Sequence, residues 1–134
     1  ALAAPAPARR LRALVVDDNA TARDVLRRQC ESLRWDTTQA ADAAEALARV
    51  DEAQREGRPY DVLLVDWEMP GVDGFQALAQ LHERGLRDAA TAVVMVTAHG
   101  REQLEALPGA ERGLIDAFLV KPVTPSMLLD AVMD

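Results

Sequence analysis

Several scarcities bound what this chain can be. It has one cysteine in 134 residues, Cys30, so no internal disulfide can form and a disulfide-stapled secreted scaffold is excluded. Cys30 falls among apolar helix positions and reads as a small buried hydrophobe, which fits a reducing compartment. No apolar run approaches the ~18 residues needed to cross a membrane. The opening Ala1-Leu2-Ala3-Ala4 lacks the charged region that precedes the core of a signal peptide. There is no G-x-G-x-x-G and no P-loop. Lysine is just as scarce: Lys121 stands alone against fourteen arginines. Those arginines are spread along a chain of net charge −7, so no nucleic-acid footprint is expected.

What remains is ample for one core. Hydrophobic residues make up 49% of the chain, enough for a single domain of this length. Residues 1–10, with their Ala3–Arg10 run of alanine, proline and arginine, read as an extended interdomain linker, and 11–134 as the folded domain. A linker is idle in a one-domain protein, and there is no initiating Met, so a longer parent is expected.

Along 11–134, short apolar runs alternate with helical periodicity five times. The predicted strands are about Arg12–Val16, Trp35–Ala40, Asp61–Asp66, Ala92–Thr97 and Ala117–Val120. The second is the most polar and should be the most exposed. The first helix should run from about Ala20 to Leu33, with Ala22, Val25, Leu26, Gln29, Cys30 and Leu33 on one face and Asn19 or Thr21 as cap. Asp42 should cap a second helix ended by Gly57-Arg58-Pro59, and Asp73-x-x-Gln76 is a capping box for a third, ended by Gly85. A fourth helix should begin near Arg101 and stop at Pro108-Gly109, with Glu111-Arg112-Gly113 as an irregular return. Thr124-Pro125 opens the last helix. Unbroken apolar strands joined by right-handed crossovers predict a doubly wound parallel α/β sheet with helices on both faces.

Four of those runs end abruptly in a polar residue: Ala13-Leu14-Val15-Val16 in Asp17-Asp18, Val62-Leu63-Leu64-Val65 in Asp66, Ala92-Val93-Val94-Met95-Val96 in Thr97, and Ala117-Phe118-Leu119-Val120 in Lys121. All strand C-termini of an open parallel sheet emerge on one edge, where ligands bind. Any single Asp there is as readily a helix cap as a functional group; the conjunction of all four is not readily coincidence. Magnesium prefers oxygen ligands, a carboxylate can attack phosphorus, and a hydroxyl and an ammonium can match phosphoryl oxygens. Two like charges ~5 Å apart repel by about 3 kcal/mol at an effective dielectric of ~20, and one lysine cannot offset three carboxylates. A divalent cation is therefore implied.

At these residues the chain closely resembles the CheY-like receiver domain of two-component response regulators, over about Leu11 to Asp134. The resemblance rests on Val15-Val16-Asp17-Asp18-Asn19, on Val65-Asp66-Trp67-Glu68-Met69-Pro70-Gly71-Val72-Asp73-Gly74, on Val96-Thr97-Ala98 and on Phe118-Leu119-Val120-Lys121-Pro122. It implies a flavodoxin-like (βα)5 fold with strand order 2-1-3-4-5. It makes Asp66 the phospho-acceptor and gives Mg2+ to Asp18, to Asp17 through water, to Asp66 and to the Glu68 backbone carbonyl. Thr97 and Lys121 would hold the phosphoryl oxygens, and Phe118 would be the aromatic whose rotamer follows Thr97. The Lys121-Pro122 bond is expected to be cis, since the chain must turn sharply while aiming the lysine back over the edge.

The flanking text around Asn19, Gly57-Arg58-Pro59-Tyr60-Asp61 and Val123-Thr124-Pro125-Ser126 is most similar to receivers fused to hybrid sensor histidine kinases. That parent implies a cytoplasmic domain without membrane or nucleic-acid contact of its own, taking its phosphoryl group from a phosphohistidine and passing it to a histidine phosphotransfer domain. A free-standing or N-terminally linked regulator is the alternative. A dehalogenase-type aspartyl-phosphate phosphatase would want a second acid two residues after the first, where Asn19 stands. A flavin binder would not place Asp17-Asp18 against a phosphate. His82, at the end of a helix cut by Gly85, reads as a solvated surface residue. Glu68 and His99, each two residues beyond a site residue, are expected at the mouth of the pocket, where a contact between them would screen hydrolytic water.

Overall fold

Asp17 and Asp66, forty-nine residues apart in sequence, are brought level by strand register alone. The computed structural model describes residues 10–69, 71–88, 90–98, 102–106 and 109–133. Its elements run β1 (Arg12–Val16), α1 (Ala20–Ser32), β2 (Asp36–Ala40), α2 (Ala43–Arg55), β3 (Val62–Asp66), α3 (Gly74–Glu83), β4 (Ala92–Thr97), α4 (Glu102–Glu105), α5 (Gly109–Arg112), β5 (Ala117–Val120) and α6 (Pro125–Met133). The strands form one parallel sheet in the order β2-β1-β3-β4-β5. This is the doubly wound parallel fold that the alternation of strands and helices predicted, in the strand order that the resemblance implied.

Successive strand residues face opposite sides, so each apolar run supplies two cores. Leu14, Val16, Leu63, Val65, Val93 and Met95 face one side, under Ala46, Leu47 and Val50 of α2 and Leu78 and Leu81 of α3. Ala13, Val15, Val62, Leu64, Val94 and Val96 face the other, under Leu26 and Cys30 of α1 and Leu128 of α6. Both faces being covered explains why these strands read as unbroken apolar runs. Each fully buried Val or Leu stabilises by about 1.5–3 kcal/mol. β2, at the sheet edge, is half-exposed along most of its length, as its polar sequence foretold.

The helix starts match the expected caps. Asn19 accepts from the Ala22 amide and Asp42 from Glu45, and Asp73 and Gln76 make both bonds of a capping box. The first three helices end alike, with a residue in the left-handed region whose amide, and that of its successor, reach back to the last turn. Gly57 and Gly85 fill that position in α2 and α3, as the sequence predicted; in α1 it is Arg34, at φ 65°.

Two expectations need correction. Val25 does not share the burial of Leu26 and Cys30; it is 48% exposed at the rim of α1, beyond the reach of the sheet. Gly109 begins a helical turn, α5, with the Gly113 amide bonded to its carbonyl, where an irregular return was expected. α4 ends at Glu105, and Gly109 does not prevent a new turn from starting.

Candidate functional site

The register explains why residues so far apart in sequence meet. Val16 pairs with Val65, Asp66 with Val96, and Thr97 with Val120. Asp17, Asp66, Thr97 and Lys121 therefore leave the sheet within one residue of a common level. Backbone bonds hold the chain in line just past the strand ends: Asp17 donates to the Ala40 carbonyl, Trp67 to Val96 and Lys121 to Thr97, at 3.1, 2.9 and 2.8 Å.

At that edge Asp17 is completely buried, Asp66 nearly so, and Asp18 exposed. Each offers a carboxylate oxygen, and the three lie within 4.8 Å of one another. Lys121, its side chain 31% exposed, places Nζ 3.5 Å from Asp17 Oδ2 and 3.7 Å from Asp66 Oδ1. Asp17 also accepts the Asn19 amide at 2.9 Å, which fixes its second oxygen. The Lys121-Pro122 peptide is cis.

Burial pushes the Asp66 carboxyl up to about 6, with the charge of Asp17 second; Lys121 and the Glu68 amide pull the other way, and the Glu68 charge adds a smaller upward push. A buried carboxylate cluster with one lysine beside it carries uncompensated negative charge. Hard oxygen donors crowded this closely suit Mg2+, which needs few protein ligands and keeps several waters. The donor set fits that ion.

Thr97 is fully buried, and its hydroxyl donates to Glu68 Oε1 at 2.6 Å. The Ala98 amide donates to the same oxygen at 3.3 Å. Sequence reasoning placed Glu68 at the pocket mouth and used its backbone carbonyl; it missed that the side chain would take these two donors. Their convergence depends on the β4 exit geometry, which no residue spacing encodes. The expected Glu68–His99 contact lies outside the described residues, because His99 does. Trp67, next to Asp66, is buried between Phe75 (centroids 6.4 Å apart, 27°) and Phe118 (5.9 Å, edge-on at 83°). Phe118 thus touches the residue that follows Asp66.

Fold and site together define a doubly wound parallel α/β domain with three crowded carboxylates, a lysine and a buried threonine on one sheet edge. The chain belongs to the response regulator receiver domain family, whose model matches residues 13–133. It is 38% identical over 112 residues to the transcriptional regulatory protein ResD of Bacillus subtilis, covering 84% of this chain and 42% of that protein. It is 32% identical over 119 residues to the sensor protein EvgS of Escherichia coli O157:H7, covering 89% of this chain and 9% of that one. A chain of the CheX–CheY–BeF3–Mg2+ complex from Borrelia burgdorferi superposes with a TM-score of 0.73 at 28% identity, over 92% of this chain and 87% of that one. The chain spans less than half the length of these curated relatives, which include both regulators and sensor proteins. It is a phospho-acceptor domain of two-component signalling, a class that takes its phosphoryl group from histidine kinases. None of the helices among the described residues is long and apolar enough to cross a membrane.

Proposed function

We propose that Asp66 is the phospho-acceptor, that Mg2+ is the cofactor, and that residues 11–134 act as the receiver of a hybrid sensor histidine kinase, tethered by the linker at 1–10. The observation that carries the acceptor assignment is the position of Asp66: a nearly buried carboxylate within 4.8 Å of two others and 3.7 Å from an ammonium. A carboxylate oxygen of Asp66 forms the new O–P bond as the P–N bond to the donor imidazole breaks, the departing nitrogen keeping the electron pair. Asp17, Asp18, Asp66 and the Glu68 carbonyl would hold Mg2+, which would supply positive charge to the phosphoryl oxygens. Lys121 balances the charge on the other side. The Thr97 hydroxyl and the Ala98 amide, which already converge on one anionic oxygen, would donate to the phosphoryl group. Phe118, on β5, follows Thr97 and carries the change along that strand.

Beside Lys121, an apolar cleft lined by Ala22, Val25, Leu26, Pro122 and Val123 opens at the sheet edge. The exposure of Val25 makes sense if the helix bearing the donor histidine rests there. The hybrid-kinase parent is supported by the likeness to the sensor protein EvgS and by the Ala/Pro run ahead of β1. The higher identity to ResD supports the second reading, a regulator with its own output domain. Either parent places the domain in the cytoplasm.

Intact mass after incubation with acetyl phosphate and Mg2+ tests the acceptor. One added phosphoryl is expected in the wild type and none in Asp66→Asn; undiminished labelling of the variant overturns the assignment. The parent is tested by transfer onward: rapid passage to a histidine phosphotransfer domain is expected of a hybrid kinase receiver, and its absence favours the regulator.

A further inference from the structure

Glu68 lies two residues past Asp66, and its side chain turns back onto the end of β4. Its carboxylate takes the Thr97 hydroxyl and the Ala98 amide. The 2.6 Å contact has the length of a charge-assisted O–H···O bond, and the Thr97 end of it is fully buried. These two donors are the ones a phosphoryl oxygen on Asp66 would need. An anionic oxygen of this chain already sits on them, two residues from the acceptor.

We propose that Glu68 is a positioning residue that acts as an internal stand-in for the phosphoryl group: its carboxylate holds the Thr97–Ala98 donor pair in the unphosphorylated protein and must be expelled when Asp66 is phosphorylated. The proposal rests on the reading of Thr97 as a phosphoryl-binding residue. The exchange is close to balanced. The incoming phosphoryl oxygens offer the donors an equivalent anionic partner, while a fourth carboxylate facing a phosphorylated Asp66 is repelled. Glu68 therefore sets how much of the binding energy of the phosphoryl group is spent on displacement, and so the occupancy of the phosphorylated arrangement rather than the chemistry of transfer. While Glu68 is in place, Thr97 is held toward it, which also holds the conformation that Phe118 would follow.

The contact is tested first without any ligand. A hydroxyl proton of Thr97 in slow exchange should be visible by NMR in the metal-free wild type and should vanish in Glu68→Ala. A Thr97 hydroxyl that exchanges equally fast in both proteins overturns the proposal. The competition is tested with BeF3− and Mg2+, the phosphoryl surrogate, read by Trp67 fluorescence. Glu68→Ala should bind the surrogate about three- to tenfold more tightly, the ratio of one net hydrogen bond. Glu68→Gln, which keeps an oxygen acceptor without charge, should fall between. In a Thr97→Val background the gain from Glu68→Ala should shrink to less than about twofold. An unchanged affinity in Glu68→Ala, or a full gain that persists in Thr97→Val and so reports charge alone, overturns the proposal. Failure of the wild type to bind the surrogate would instead count against the phosphoryl-site reading, and the hydroxyl measurement would still decide the Glu68–Thr97 contact.

Discussion

The first residue of α3, Gly74, packs so closely on Asp66 that a β-carbon there would lie 2.3 Å from the Asp66 backbone carbonyl oxygen and 2.9 Å from the Trp67 α-carbon. The Gly74 amide also donates to the Trp67 carbonyl at 2.8 Å. The glycine therefore allows a helix to start directly against the strand end that carries Asp66. Backbone cannot swing aside as a side chain can, so Gly74→Ala must move the β3–α3 junction. We expect a loss of about 1–3 kcal/mol in urea unfolding, together with slower labelling by acetyl phosphate. A variant with wild-type stability and labelling would show that this junction has slack.

Arg34 is the odd member of three matching helix ends. Its amide reaches the Glu31 carbonyl and the Trp35 amide reaches Cys30, the same pattern that Gly57 and Gly85 complete for α2 and α3. An L-residue with a β-carbon is disfavoured at φ 65°. Arg34→Gly should raise stability by about 0.5–1 kcal/mol, offset in part by the greater freedom of glycine in the unfolded chain. Unchanged or lowered stability on thermal unfolding would mean that the arginine side chain contributes more than the strain costs.

Those two positions also show what could be read from the residues. The fold was legible because burial on both sheet faces writes itself as unbroken apolar runs, and because Asp42, Asp73 and the glycines at 57 and 85 punctuate the helices. The meeting of Asp17, Asp18, Asp66 and Lys121 was legible because parallel strands put all their C-termini on one edge. The end of α1 was read at about Leu33 and falls there, at Ser32 with Leu33 as its cap, but the left-handed residue that completes that end, Arg34, could not be recognised as such because it is not a glycine. The close approach at Gly74 and the turn of Glu68 onto Thr97 were not legible either. Both are set by the path of the chain after a strand ends, where side-chain periodicity carries no information.

Lys121 is the compact cation between two carboxylates, 3.5 Å from Asp17 and 3.7 Å from Asp66. Lys121→Met keeps much of the stem and removes the charge. Because the ammonium is partly exposed, the metal-free protein should lose about 1–2 kcal/mol, less than a fully buried pair would. Lys121→Arg should keep most of the stability but little of the labelling, since a planar fork does not substitute for a point charge between two sites. Equal labelling of the arginine variant and the wild type would argue that only net charge matters at this position.

The raised carboxyl of Asp66 has a consequence for stability that does not depend on phosphorylation. In the metal-free fold it titrates near 6, chiefly because burial disfavours the charged form, against about 3.9 in an unfolded chain. Between those values the folded protein holds a proton that the unfolded chain has released, so stability is greatest below about pH 4 and falls as pH rises through about 6. Above that, the ionised carboxylate costs the fold on the order of 2–3 kcal/mol. Asp66→Asn removes the ionisation with little change of shape. It should be more stable than the wild type at pH 7.5 by about that amount, with the two nearly equal at pH 4. Mg2+ is expected to bind the wild-type carboxylate and so to narrow the gap at pH 7.5, and to do little at pH 4, where the proton is bound. Urea midpoints of both proteins at the two pH values, with and without Mg2+, decide it: a difference that does not change with pH would show that Asp66 is not strained by its burial.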